Sequence, residues 1–144
     1  MSQAQTLSFL QSSVQTTHEW LSELMEHTGR DDEPKAWAML RAVLHVLRDR
    51  LTVEQCAHLS AQLPRVVRGM YFEGWKPASQ PTRLRSRDEF VQAVADELTG
   101  HPAIDPNQAI DGTLHLLDRR ISPGELGKIK AMLQPELREL WPSS

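Results

Sequence analysis

The amino-acid sequence predicts an all-α fold, a tandem duplication of a four-helix unit packed as one compact pseudo-twofold helical bundle. Two observations carry that expectation. Apolar residues recur at steps of three and four along most of the chain, the spacing of an amphipathic helix, and no stretch alternates with period two. A shift of 70 residues then lays Leu44-His45-Val46-Leu47-Arg48-Asp49-Arg50-Leu51-Thr52 on Leu114-His115-Leu116-Leu117-Asp118-Arg119-Arg120-Ile121-Ser122. The same shift lays Trp20, Leu21 and Leu24 on Phe90, Val91 and Val94, and Met70-Tyr71 on Leu140-Trp141. Apolar positions match while surface positions drift, as expected of a duplicated fold that has kept its core.

The elements follow in order. Leu7, Leu10, Val14, Thr17, Leu21 and Leu24 share one helical stripe, which predicts a long first helix from about Thr6 to His27. A rival start at Thr16, with Glu19 as capping partner, breaks that stripe and is not preferred. Gly29 ends the helix, and Asp31-Asp32-Glu33-Pro34 opens a second that runs to about Arg50. Its apolar face is Ala36, Leu40, Val43, Leu44, Leu47 and Leu51. Thr52, with Gln55 three residues on, caps a third helix carrying Val53, Cys56, Leu59 and Leu63. Its counterpart starts at Ser122-Pro123-Gly124-Glu125, an N-cap, a first-turn proline and a capping glutamate. Pro64 and Pro135 each read as the first residue of a short fourth helix. The aperiodic stretch Glu73–Pro81 lies in a linker, and Ser86 with Glu89 forms a capping box that opens the second copy. The expected organisation is a first repeat over 1–72 with an extended N-terminal helix, a linker over 73–85 and a second repeat over 86–144.

Composition narrows the classes. Apolar residues are 40% and charged residues 24%, the balance of a folded chain, and 144 residues suffice for one sizeable core. A net charge of −3 argues against a dedicated nucleic-acid binder, which carries a basic surplus. No run of eighteen apolar residues predicts a membrane span, and the N-terminus shows no basic flank and apolar block of a signal peptide. The single cysteine, Cys56, fits a reducing compartment, so the cytoplasm is expected.

Several segments together resemble a known family. They are Thr17-His18-Glu19-Trp20-Leu21-Ser22-Glu23-Leu24-Met25 and Leu40-Arg41-Ala42-Val43-Leu44-His45-Val46-Leu47-Arg48-Asp49-Arg50-Leu51, then Gln62-Leu63-Pro64, Tyr71-Phe72-Glu73-Gly74-Trp75 and Pro135-Glu136-Leu137-Arg138-Glu139-Leu140-Trp141. The resemblance is to the bacterial family catalogued as domain of unknown function 2267. It implies a helical, soluble protein without an established activity, and it transfers no catalytic residues.

Six histidines raise a metal hypothesis, although HExxH, paired-cysteine and EF-hand spacings are absent. His45 and His115 recur in both copies, each on the flank of its helix. Asp111, His115 and Asp118 fall on one stripe and are weak candidates for a divalent ion; the expected reading is a solvated face with ordinary charge pairing. The duplication suggests a further pattern, because Arg41 and Arg48 stand where Asp111 and Asp118 stand. A mid-helix glycine, Gly112, matches Ala42 and needs a packing reason. The expectation drawn from this is an antiparallel crossing near Ala42 and Gly112, with Arg41 by Asp118, Arg48 by Asp111 and His45 by His115.

Trp20, Phe90 and Trp141 read as core, and Trp75 as an anchor for the linker. Lys76, Arg83, Arg85 and Arg87 read as solvated linker residues. Cys56 follows an apolar stripe and reads as a structural thiol, and no nucleophile has a base at a useful spacing, so no enzyme and no cofactor are expected. The leading functional expectation is a non-catalytic protein-interaction or scaffold module, with a protein partner or a homo-oligomer, no nucleic acid and no membrane. The alternative is a small-ligand or metal-binding protein using the cleft between the repeats.

Overall fold

A computed structural model describes residues 7–142. It is all-helical, with eight α-helices and no strand among the described residues. They are α1 (Ser8–Thr28), α2 (Glu33–Arg50), α3 (Val53–Ser60), α4 (Arg65–Tyr71), α5 (Arg87–Glu97), α6 (Pro106–Arg120), α7 (Pro123–Met132) and α8 (Pro135–Arg138), with one 3-10 turn at Pro77–Ser79. The expected start at Thr6 lies outside the described residues. From Ser8 on, α1 is continuous through Thr16, which excludes the later start.

Local chemistry sets most boundaries. Gly29 closes α1 with φ +71°, a left-handed conformation that glycine adopts without strain. Asp32 accepts the amide of Lys35, Thr52 that of Gln55, Asp105 that of Asn107 and Ser122 that of Glu125. Ser86 and Glu89 form the reciprocal capping box, and the amides of Arg85 and Ser86 hold the Glu89 carboxyl below its usual range. Pro135 is the first residue of α8, whereas Pro64 sits one place before α4 as its N-cap.

α2 is the centre of the packing. It touches α1, α4, α5 and α6, and every residue from Ala42 to Arg48 is buried. Helices from the two halves pack across each other: α1 on α6, α2 on α5 and α6, α3 on α7. One core results, including Trp20, Leu24, Leu40, Leu44, Leu47, Tyr71, Phe90, Leu114, Leu117, Leu137 and Trp141.

Gly112 has its packing reason, but with a different helix from the one expected. A Cβ there would lie 2.7 Å from Leu24 Cδ1 and 2.8 Å from Thr28 Cγ2, so the close approach is to α1 rather than to Ala42 of α2. Both neighbours are buried and have little room to move. Gly112→Ala gains up to about 1 kcal/mol in helix propensity. It meets an overpacking cost of roughly 1–3 kcal/mol. Urea denaturation is expected to show a net loss of up to about 2 kcal/mol. A stabilised variant would mean that the gap between α1 and α6 relaxes freely.

Candidate functional site

Three places carry exposed apolar or clustered polar side chains. The first is the beginning of α1. Leu7, Leu10 and Val14 lie on the same stripe as Thr17, Leu21 and Leu24, yet they are 57%, 47% and 51% exposed while the latter three are buried. The stripe therefore runs off the end of the core and continues into solvent. Leu10 and Val14 line a shallow apolar hollow with Gln11 and Gln15. On another side of the helix, Phe9 lies under the Arg65 guanidinium at 4.7 Å and borders an open groove of about 690 Å³ that includes Trp20, Pro64, Arg68 and Arg120.

The second place surrounds His45. Projection on a helical wheel puts His45 on a solvated flank; the structure buries it, because the end of α4 and the linker fold over that flank of α2. Nε2 of His45 donates to the Met70 carbonyl at 2.8 Å, and Nδ1 lies 3.5 Å from Glu97 of α5. Arg48 is equally buried: Nη1 donates to the carbonyls of Tyr71 and Glu73, and Nε donates to Asp49. Arg41 pairs with Glu73. The linker is tied to the same end of α2. Trp75 Nε1 donates to Gln80 Oε1, and the Gln80 amide donates to the carbonyls of Arg48 and Leu51.

The third place is where α1 meets α6. His27 Nε2 is 2.8 Å from Asp111 Oδ2, and the His27 and His115 rings lie with centroids 4.2 Å apart. His115 Nδ1 donates to the Asp111 carbonyl one turn back and lies 3.4 Å from Asp111 Oδ1. Asp118 is not part of this group, since it pairs with Lys130 of α7. The candidate trio Asp111, His115 and Asp118 is thus corrected to His27, Asp111 and His115. His27 was missed because it sits in a different helix, 84 residues from Asp111, and no local spacing joins them. Under the 70-residue shift His27 falls on the unlike Glu97, so the internal match gave no signal for it.

The expected pairing across the repeats does not form. Arg48 is held by Tyr71, Glu73 and Asp49, Arg41 by Glu73, Asp111 by His27, Asp118 by Lys130 and His45 by Met70 and Glu97. The physical reason is the order of packing: these flanks of α2 and α6 face α5 with the linker and α1 respectively, not each other.

The remaining candidates are quiet. Cys56 is buried, and its carbonyl accepts from the Tyr71 hydroxyl; burial pushes the ionisation of that hydroxyl far upward. No helix among the described residues is long and apolar enough to cross a membrane.

The eight helices and their single core define a small all-helical domain. The chain belongs to the family described as uncharacterized conserved protein (DUF2267), whose model matches residues 17–140. No curated protein matches it. The match begins at Thr17, where the α1 stripe becomes buried, so the exposed turns at Leu7, Leu10 and Val14 precede the matched domain.

Burial holds the His45 imidazole below its usual range. Arg48 and Arg41 of α2 act in the same direction, and the Met70 carbonyl and Glu97 oppose them. A histidine depressed in this way binds its proton more readily in the unfolded chain. Its contribution is fully present above about pH 6.5 and is lost as pH falls through the folded value. Denaturation at several pH values should show stability falling between about pH 7 and 5 more steeply than in His45→Gln, whose amide can still donate to Met70. Equal slopes in the two proteins would remove His45 as the cause.

Proposed function

We propose that this protein is a non-catalytic interaction module that self-associates through the exposed N-terminal half of α1. One observation carries the reading: the stripe that packs α1 into the core continues, unpaired, through Val14, Leu10 and Leu7. Burial of apolar surface favours covering such a stripe. The occupant argued for is a second copy of this chain, lying antiparallel along the first. No charged side chain occurs from Ser2 to Thr17, so two copies of the segment meet without like-charge repulsion. The exposed part of α1 is only about 13 Å long at 1.5 Å per residue, which places the interface below the usual 1,200–2,000 Å². The dimer is therefore weak and concentration-dependent.

The scaffold behind this surface is read as a duplicated four-helix unit about a pseudo-twofold axis. What supports it is the pattern of equivalent contacts. His27 and Glu97 are 70 residues apart, as are Asp111 and Arg41, and His115 and His45. His27 lies against His115, and Glu97 lies against His45. The packing of α1 on α6 is thus matched by that of α5 on α2. The proposed setting is the bacterial cytoplasm, where a lone unpaired thiol such as Cys56 is stable.

Sedimentation across micromolar to millimolar protein is expected to show a monomer–dimer equilibrium. The double variant Leu10→Asp, Val14→Asp should remain monomeric throughout, with its unfolding free energy changed by no more than about 0.5 kcal/mol because both sites are exposed. A wild type that stays monomeric at millimolar concentration, or a variant that still dimerises, would overturn the reading.

A further inference from the structure

The geometry points to a divalent transition-metal site, of the zinc, cobalt or nickel class, built by His27 of α1 with Asp111 and His115 of α6. One ligand atom from each of the three residues lies within 4.8 Å of the others. Bonds of about 2.0–2.2 Å to tetrahedrally arranged nitrogen and oxygen ligands put those ligands about 3.4 Å apart, so modest side-chain rotations close the set. Two imidazoles and one carboxylate select a borderline metal over magnesium or calcium, which take all-oxygen sites. Three protein ligands leave a position for water. The residues are reachable from solvent, with His27 and His115 each 36% exposed and Asp111 59%.

Charge argues in the same direction. Under the 70-residue shift this trio corresponds to Glu97, Arg41 and His45, where the chain supplies its own cation in Arg41, beside the buried Arg48. In the second copy both arginines are replaced by aspartates. Asp118 recovers a partner in Lys130, but Asp111 faces only imidazoles. A metal ion would take the place of the proton that His27 Nε2 shares with the Asp111 carboxylate, and a second carboxylate lies close by. Glu23 lines the same small cavity as His27 and His115; Arg120 holds one of its oxygens, and the other, Oε2, is buried without a hydrogen-bond partner, with Arg119 Nε at 4.0 Å. The linker that covers the first junction has no described counterpart over the second, so an ion can enter.

Gly112 gives the site its register. Because it has no Cβ, α1 can approach until His27 Cδ2 stands 3.7 Å from where that Cβ would be, between Asp111 on one side and His115 one turn along. The close crossing and the ligand set are thus one feature. An ordinary alternative exists for the same atoms, a protonated His27 paired with Asp111, and it predicts no metal affinity.

The test is a titration of the full chain, stripped with a chelator, using Co(II) with absorption readout and Zn(II) in competition with a chromophoric chelator. Expected are one ion per chain at micromolar affinity, visible d–d bands for Co(II) with histidine ligation, and a melting temperature raised by Zn(II). His27→Ala and His115→Ala should each lower the affinity roughly tenfold or more while leaving the metal-free melting temperature close to wild type. His18→Ala and His58→Ala, which alter histidines elsewhere on the surface, should bind as wild type does. Absence of binding below about 100 micromolar, a free energy weaker than about −5.5 kcal/mol, would overturn the proposal. So would binding that survives both His27→Ala and His115→Ala. The monomer–dimer equilibrium is measured with chelator present, so failure here leaves the α1 reading untouched.

Discussion

Between Ala42 and Arg48, α2 has no face toward water, and this enclosure governs the surrounding structure. Leu44 and Leu47 need only apolar neighbours, which α1, α5 and α6 provide. His45 and Arg48 are different, since a buried polar group without a partner costs about 1–3 kcal/mol, more if it is charged. Their partners are carbonyls: those of Met70, Tyr71 and Glu73, at the end of α4 and the start of the linker. The guanidinium thus fixes where α4 stops and where the linker begins. Gln80 repeats the arrangement from the other side by donating to the carbonyls of Arg48, in the last turn of α2, and of the C-cap Leu51.

The same scaffold yields two unlike junctions. Around α2 the polar stripe is covered and internally neutralised. Around α6 the matching stripe, Asp111, His115 and Asp118, stays at the surface with its charge reversed. These positions stand 70 residues apart in the sequence, and what lies over each decides its chemistry. A histidine under a linker is held neutral and acts as a donor, whereas one beside a second imidazole and a carboxylate is available to a cation.

The helices and their caps were legible in the sequence because they depend on local chemistry: Gly29, Asp32, Thr52, Ser86 and Ser122 act within four residues of themselves. Periodicity identified the stripe of α1 but not where it leaves the core. A stripe reports which residues share a face, and only the length of the helices beside it determines how much of that face is covered. The burial of His45 was illegible for a related reason, since the cover is an aperiodic segment 25 residues away. Gly112 announced a close approach without naming the approaching helix, and its true neighbour in α1 also brought His27 to the site. The expected pairing put the polar flanks of α2 and α6 together; the two helices meet along apolar ones.

Crossed packing also constrains how the chain is made. While residues 1–72 leave the ribosome, α2 has its α1 and α4 neighbours but none of the surface destined for α5 and α6. That surface is completed only after residue 120 has been synthesised, so the early half waits with part of the core open. Each half packs its first helix against the other. Two nascent chains close together could trade second halves and rebuild every one of these contacts, with the linker as the only segment that must take another path.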